Sequence, residues 1–345
     1  MFSVFAIYIK KGEITMETTA MAVLSKVVSF LITFIFMASG VTSSATSQQV
    51  KPKDAKSLLF SFATLSDTHI TSDGAARVNM LSQGFRDVDG KVDAIICVGD
   101  MTDHGEKEQY ENFYGCVEKS IKTSKFIPVV GNHDTWTKDL RGSKPTKEFL
   151  KAYNDYSGRK LKRPYYTTKV NGYTFIMLSS EKDNTAAFIS NKQINWLNNQ
   201  LKKASKKKNS PIFVMCHWPI NGVCGQMEID PDMEMGKQSD KVRKVLEKYD
   251  NIFYFCGHVH AGLRADASKK LFGHESIETV NGVHYINLPS YTYVNFEPWQ
   301  TNNGGNLLSG CGYIAEVYKD EVVIRARNYA LGFYMSAYEK TIELN

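Results

Sequence analysis

The chain has 345 residues, of which 43% are hydrophobic and 23% are charged, so it is a globular protein with a sizeable core rather than a disordered chain. The formal net charge of +6 is mild and neither requires nor excludes an anionic substrate or nucleic acid. The length allows one large α/β domain or two smaller ones.

The first 45 residues have the composition of a secretory signal peptide. Lys26 precedes the unbroken apolar run 27–38, and Ser43, Ser44 and Ala45 supply the small residues at which a signal peptidase cuts. The apolar run is shorter than the roughly 20 residues that span a bilayer, so a membrane anchor is the weaker alternative. We therefore expect an exported protein that does not associate with a membrane after residues 1–45 are removed.

The domain organisation follows from where the composition changes. Residues 1–20 form a segment that is unusually long and polar for one that precedes a signal peptide. We therefore expect translation to start at Met16 or Met21. Residues 46–57 are polar and are expected to form a flexible tail. Because no linker or internal repeat interrupts the remainder, we predict a single domain over residues 58–345.

Five short apolar runs after the tail are typical of strands that are covered on both faces. They comprise residues 58–65, 94–98, 126–130, 212–216 and 252–256. Amphipathic patterns predict helices over residues 75–88, 106–124, 146–153, 191–207 and 239–249. Asn171-Gly172 predicts a hairpin between residues 165–169 and 173–179. Strands alternating with helices indicate parallel βαβ units, and three further strands could pair antiparallel, at residues 283–288, 313–317 and 322–327.

Each of the five apolar runs is followed within two residues by Asp, Asn or His. The side chains that could bind metal in these segments are Asp67, His69, Asp100, Asp103, Asn132, His133, Asp134, His217, His258 and His260. Ligands of such sheets gather beyond the carboxyl ends of the strands, so these donors are expected to share one site. Imidazole and carboxylate without thiolate suit Zn²⁺, Fe or Mn²⁺. Seven of these donors are taken as ligands, a number that fits two ions sharing a carboxylate: Asp67, His69, Asp100, Asn132, His217, His258 and His260.

The six cysteines do not have the placement of a disulfide framework. Cys97, Cys216 and Cys256 lie within predicted strands, where a buried thiol packs as a small hydrophobic side chain. The pairing state of the other three stays open at this point.

The five apolar runs, together with the Asp, Asn and His residues that follow them, resemble the calcineurin-like metallophosphoesterases. The segments occur in the same order along the chain as in that family, over roughly residues 57–263. The resemblance implies an α/β fold with four layers, in which two mixed β-sheets are flanked by helices, and a dinuclear metal site at the carboxyl ends of the strands. It assigns one Fe, Mn or Zn ion to Asp67, His69 and His260, and a second to Asn132, His217 and His258. Asp100 would bridge the two ions.

The same resemblance implies a reaction. A hydroxide between the ions would attack the phosphorus of a small phosphodiester or phosphomonoester, a nucleotide among the candidates. His133 would protonate the leaving group. Asp103 would hydrogen-bond His133, fix its tautomer and keep it cationic.

Departures from other branches favour the cyclic-nucleotide-phosphodiesterase-like and broad bacterial phosphoesterase branches. Asp103-His104-Gly105 and Asp134 stand where the protein Ser/Thr phosphatases carry Asp-Arg-Gly and Glu, and purple acid phosphatases place a tyrosine where Asp103 stands. Two alternatives stay open: a nuclease or phospholipid phosphodiesterase with the same site, and a catalytically inactive binding protein with a phosphatase fold.

Other features give weaker signals about partners. Lysines at 202–208 could bind nucleic acid, but cations at a helix C-terminus are more often solvated, so the sequence gives no strong nucleic-acid signal. The loop 221–236 could act as a lid. The oligomeric state is not specified by the sequence. Five aromatic residues could line the substrate pocket: Trp136, Tyr291, Tyr293, Phe296 and Trp299.

Overall fold

The structure, a computed structural model, describes residues 48–136, 146–182, 187–224, 235–260, 263, 275–292 and 309–345. Before residue 48 it describes only the backbone of β1 (Ile9–Lys10), which pairs antiparallel with β2 (Glu13–Ile14). The predicted signal peptide otherwise lies outside the described residues. Within the described ranges, no helix is both long enough and apolar enough to cross a membrane.

The second compact unit, Gln49–Asn345, contains the predicted domain. Its strands are β3 (Phe60–Leu65), β4 (Ala94–Val98), β5 (Lys125–Val129), β6 (Tyr166–Val170), β7 (Tyr173–Met177), β8 (Ile212–Met215), β9 (Ile252–Cys256), β10 (Ile277–Val280), β11 (Val283–Asn287), β12 (Cys311–Val317), β13 (Glu321–Asn328) and β14 (Phe333–Glu343). Its helices are α1 (Ala75–Val88), α2 (Lys107–Ser120), α3 (Lys147–Ser157), α4 (Asn191–Ala204) and α5 (Ser239–Leu246).

The strands form two mixed sheets. The first has the order β14-β13-β12-β3-β4-β5, and the second has the order β10-β11-β9-β8-β7-β6. β3, β4 and β5 are parallel in the first sheet, while β11, β9, β8 and β7 are parallel in the second. The loops that follow the parallel strands therefore emerge at the carboxyl ends of both sheets, where the predicted donors lie.

Alternation along the strands explains why the two sheets stack between helices. In β8, Phe213 and Met215 join the core between the sheets, while Ile212 and Val214 join a second core with α4 and α5. The rings of Phe213 and Phe62 from β3 lie 4.8 Å apart across the sheet interface. Since both faces of each sheet are covered, the predicted four-layer α/β fold is confirmed.

The C-terminal strands depart from the sequence prediction. β12 and β13 do pair antiparallel, but β11 belongs to the other sheet, where it pairs parallel with β9. The prediction that all three pair antiparallel was therefore wrong for residues 283–288. β10 and β14 were not predicted, because β10 has four residues and β14 is a half-exposed edge strand without sustained apolar alternation.

The cysteines and the predicted tail also have defined surroundings. All six cysteines are buried thiols, as expected for Cys97, Cys216 and Cys256 in the strands. In the segment predicted as a tail, Lys53 N donates to Glu316 Oε2 at 3.0 Å, so this part of the chain contacts β12.

Candidate metal centre and active site

The loops after β3 and β4 are joined by main-chain hydrogen bonds that set the positions of three predicted donors. Asp67 N donates to Gly99 O at 3.1 Å, and His69 N donates to Asp100 O at 3.0 Å. The loops after β8 and β9 are joined in the same way. Because these strands end at one edge, the loops converge and bring donors that are distant in sequence into contact.

The backbone conformation of the donor residues is unusual. Asp67, His69, Asp100, His258 and His260 all have positive φ, between 41° and 70°. A left-handed conformation strains a non-glycine residue by about 1–3 kcal/mol and persists only where the surrounding structure enforces it. Strain of this kind is therefore concentrated where the donors meet, which is typical of a functional site.

Two glycines make room for donor side chains. A Cβ atom at Gly131 would lie 2.1 Å from Asp100 Oδ1, and one at Gly99 would lie 2.4 Å from His217 Nδ1. Gly99 also has a φ of +89°, which a side chain would strain. Gly99 and Gly131 are thus required because the donor side chains approach the backbone so closely at these positions.

The first group of donors comprises Asp67, His69, Asp100 and His260, whose ligand atoms all lie within 4.8 Å of one another. His260 Nε2 lies 3.3 Å from Asp67 Oδ1 and 3.2 Å from His69 Nε2. His69 Nε2 lies 3.8 Å from Asp100 Oδ2. Donors about 2.0–2.2 Å from one cation would lie about 3–3.6 Å apart, so the spacing of this group is close to that of a metal coordination shell.

The second group comprises Asp100, His217 and His258, so Asp100 belongs to both of these groups, while a further group, His69, Asp103 and His133, adjoins the first through His69. His217 Nε2 lies 3.1 Å from Asp100 Oδ2. The other ring nitrogen, Nδ1, donates to Val98 O at 2.8 Å, so Nε2 is the nitrogen that faces Asp100 and would bind an ion. A carbonyl partner on the far nitrogen is the usual way in which a metal-binding imidazole is oriented.

Buried polar atoms without partners mark the same place. Among the residues that the structure describes, Asp67 Oδ2, Asn132 Oδ1, His217 Nε2 and His258 Nε2 are buried without a hydrogen-bond partner. Such atoms normally cost about 1–3 kcal/mol each, so a bound group is needed to satisfy them. Carboxylate, amide and imidazole donors without thiolate fit two ions of the Fe, Mn or Zn type.

The electrostatics of the cluster favour ionised carboxylates. Burial opposes ionisation of Asp100, but the imidazoles of His217 and His133 hold its pKa well below the ordinary range. Burial alone would lower the pKa of His217, yet Asp100 and Asp67 raise it to about 9. Burial and the nearby His217 lower the pKa of His258 to about 3, so the ring of His258 stays neutral. These groups attract cations strongly because the carboxylates are anionic at neutral pH.

His133 lies beside the cluster, and its contacts correct the expected role of Asp103. His133 Nδ1 lies 2.8 Å from the backbone carbonyl of Asp103, not from its carboxylate. The Asp103 carboxylate instead lies 3.4 Å from His69 Nδ1 and 3.1 Å from His104 Nδ1. Asp103 does contact His133, but through its backbone carbonyl, which fixes the His133 tautomer. The Asp103 carboxylate faces Nδ1 of His69, a predicted metal ligand.

The aromatic residues proposed to line the pocket have different outcomes. The rings of Trp136 and His133 lie 3.9 Å apart, so Trp136 does border the site. Tyr291 is buried and its hydroxyl donates to Met80 O at 2.9 Å, so it packs in the core instead. The other three aromatics, and most of the loop proposed as a lid, lie outside the described residues.

The structure adds one residue that the sequence analysis did not place in the site, and it gives a second one, Asp134, a role. Arg77 of α1 donates to His69 O and lies 3.8 Å from Asp103 Oδ1, although no motif in the sequence includes it. The Asp134 carboxylate accepts from Thr102 N at 2.9 Å and from Gly131 N at 2.9 Å. Asp134 therefore holds the loops after β4 and β5 together, and its place in Gly131-Asn132-His133-Asp134, just after the apolar run 126–130, was the available signal.

Comparison with known proteins agrees with this geometry. The sequence profile of the calcineurin-like phosphoesterase family matches residues 60–262, which is more than half of the chain. The chain is 26% identical over 206 residues to the probable glycerophosphodiester phosphodiesterase GpdQ of Arcobacter nitrofigilis, a match that covers 57% of this chain and 70% of that protein. It is 22% identical over 247 residues to the 3′,5′-cyclic-nucleotide phosphodiesterase alr5338 of Nostoc, covering 68% of this chain and 80% of that protein.

A solved structure is similar in fold. The purple acid phosphatase PPD1 of yellow lupin superposes with a TM-score of 0.58 at 13% identity, over 82% of this chain and 53% of that one. This likeness shows the fold alone, and the chain spans about half the length of the lupin protein. From the family match, the chain belongs to the calcineurin-like phosphoesterases and is a metal-dependent phosphoric ester hydrolase.

Proposed function

We propose that the chain hydrolyses a small phosphodiester or phosphomonoester, a nucleotide among the candidates, with two metal ions held at the cluster. One ion would be held by Asp67, His69 and His260, and the other by Asn132, His217 and His258, with Asp100 between them. The observation that carries this assignment is that Asp100 belongs to both donor groups. Two cations would neutralise the phosphoryl oxygens and lower the pKa of a bound water.

His133 is proposed as the general acid. The Asp103 carbonyl accepts a hydrogen bond from Nδ1 of His133. Nε2 of His133 is therefore the atom that can deliver a proton to the leaving oxygen. Trp136 packs against the imidazole and limits its rotation. The His133 main-chain N–H also donates to Asp100 Oδ1 at 2.9 Å, which ties the acid to the shared carboxylate.

Diester hydrolysis is the preferred substrate class because phosphodiesterases are among the relatives of this chain. The test is turnover of bis-p-nitrophenyl phosphate and p-nitrophenyl phosphate by protein reconstituted with Mn²⁺. Turnover of the diester supports the proposal. No turnover of any phosphoester with both ions bound would favour a catalytically inactive binding protein.

The role of His133 has a sharper test. An alkyl leaving group needs a proton, whereas p-nitrophenolate leaves without one. His133→Ala should therefore reduce kcat about 10²–10⁴-fold on an alkyl phosphodiester and much less on the p-nitrophenyl diester. His284→Asn, a histidine change on β11, serves as the control with unchanged kcat. Equal losses on both substrates would contradict proton donation by His133.

We also propose that the protein is exported, on the basis of the residue order in the first 45 positions. The expected result is a mature N-terminus at about Thr46 when the full chain is expressed in a bacterium with a Sec pathway. N-terminal sequencing of the purified protein measures this, and an intact N-terminus in the cytoplasm would contradict it.

A further inference from the structure

The outer face of α4 forms a groove lined by cations. The groove has a volume of about 850 Å³, and its lining includes Arg163, Lys192, Lys202, Lys203 and Lys206. No aspartate or glutamate contributes to the lining. Among the described residues, none of these five cations has a carboxylate within 4 Å, although the structure forms such pairs elsewhere. The groove therefore presents unneutralised positive charge.

Two of the cations lie along one side of the helix together with an aromatic ring. Lys192, Trp196, Asn199 and Lys203 follow one another at intervals of four and three residues, which places them on one face of α4 over about 16 Å, and Lys206 lies just beyond the end of the helix at Ala204. The lining thus combines cations, an indole ring and amide side chains.

A second groove of about 610 Å³ continues the charged surface toward the β6–β7 hairpin. The two grooves share Gln200, Lys203 and Lys206, and the second adds Lys169 and Lys207. Its lining also contains no carboxylate. Together the two grooves, here called the α4 groove, form a continuous cationic channel.

The α4 groove is separate from the metal centre. Its second part is lined by Ile212, the first residue of β8, whereas the donor His217 lies two residues beyond Met215, the last residue of β8. The groove therefore lies toward the opposite end of the strand from the donors. Nothing in the proposed hydrolysis uses it.

We propose that the α4 groove binds single-stranded nucleic acid. The cations complement the phosphates of one strand, and a planar guanidinium offers a stacking surface for an unpaired base. The exposed guanidinium of Arg163 lies over the half-buried Trp196 ring, 5.2 Å from its centroid, so this guanidinium is the planar group that a base can contact. Asn195, Asn199 and Gln200 supply amide donors and acceptors beside them.

A membrane surface fits the α4 groove less well. Binding at an anionic bilayer combines basic residues with exposed apolar side chains that insert into the interface. The large apolar side chains that the described residues expose are Leu59 and Leu331, and neither lines the groove. The surface is also concave, which suits an extended strand.

The test measures binding of fluorescein-labelled oligo(dT) to full-length, metal-free protein by fluorescence anisotropy at several salt concentrations. With seven phosphates paired to the seven cations of the α4 groove, the slope of log K against log salt should be about −4.9. Replacing Lys192, Lys203 and Lys206 by Gln should reduce the slope to about −2.8 and weaken binding at least tenfold.

The matched control replaces three exposed lysines outside the groove, Lys56, Lys248 and Lys319, by Gln, which removes the same charge. The control should keep the wild-type slope, and both triple variants should keep wild-type turnover of bis-p-nitrophenyl phosphate. Equal loss of oligo(dT) binding in both variants would overturn the proposal, because it would show attraction to net charge alone. Binding to phosphatidylglycerol vesicles without binding to oligo(dT) would also overturn it, in favour of a membrane surface.

Discussion

At the scale of single residues, Asp100 links the parts of the site. Its Oδ1 accepts from the main chain of His133 at 2.9 Å, and its Oδ2 lies 3.1 Å from His217 Nε2 and 3.8 Å from His69 Nε2. One carboxylate therefore contacts both donor groups and the loop that carries the proposed acid. Its position depends on the absence of a side chain at Gly131.

Gly131→Ala is expected to displace the Asp100 carboxylate, because the added Cβ would lie 2.1 Å from Oδ1 and 2.4 Å from the main-chain nitrogen. The backbone of both loops must shift, so we expect at least a tenfold loss of Mn²⁺ affinity by isothermal titration calorimetry. Gly115→Ala in α2 is the control, since its Cβ would meet nothing within 4 Å and alanine favours a helix. Unchanged Mn²⁺ affinity in Gly131→Ala would contradict this account of the glycine.

The sequence predicted the donors of the site but not all of their contacts. Each predicted ligand lies within four residues of the end of an apolar run, and residues that follow parallel strands converge at one edge, so their grouping could be predicted. The role of Asp103 could not, because choosing between its carbonyl and its carboxylate depends on loop geometry. Arg77 reaches the site from a helix face, and an exposed arginine on a helix has no distinguishing sequence pattern.

At the scale of secondary structure, a buried ion pair joins helix α1 to strand β13. Asp87 accepts from Arg327 Nε at 2.6 Å and from Nη2 at 2.7 Å, and the Arg327 side chain is 0% exposed. A bidentate pair of this kind fixes orientation as well as charge. It holds α1, which also carries Arg77, against the first sheet.

Asp87→Ala is expected to destabilise the fold by about 3 kcal/mol, because it leaves the charge of Arg327 buried without its carboxylate. Asp155→Ala, which removes a pair exposed on both sides, should change the free energy of unfolding by less than about 1 kcal/mol. Urea denaturation of the two variants measures the difference. Similar values for both would show that the buried pair contributes no more than a surface pair.

The strands show which elements a local pattern can predict. The runs 94–98 and 252–256 match β4 and β9 at both ends, because each is a short apolar segment between turns. β14 has no such pattern, since an edge strand is stabilised by pairing with β13 rather than by burial. The placement of β11 beside β9 is a long-range pairing, which local periodicity does not specify.

At the scale of the whole molecule, stability is expected to depend on pH through a histidine outside the site. His284 on β11 is held between Thr279, which lies 2.8 Å from its Nδ1, and the ring of Phe253. Burial and the nearby Lys340 lower the pKa of His284 to about 4. The folded state therefore favours the neutral ring.

The direction of the change in stability with pH follows from which state, folded or unfolded, binds the proton. As the pH falls from about 6.5 to about 4, the unfolded chain protonates this histidine while the folded chain does not, so the free energy of unfolding decreases. His284→Asn should lose less stability than the wild type between about pH 7 and pH 5, measured by urea denaturation of metal-free protein. An identical loss in the two proteins would show that His284 does not titrate in this range.

We propose that the loops of the two sheets bring together two ion sites that share Asp100. Elemental analysis of Mn²⁺-reconstituted protein tests it most directly. The account predicts two ions per chain in the wild type, one in His217→Ala, one in His260→Ala and fewer than one in Asp100→Ala, because only the last change removes a ligand from both sites. An Asp100→Ala protein that retains as many ions as the single-histidine variants would contradict it.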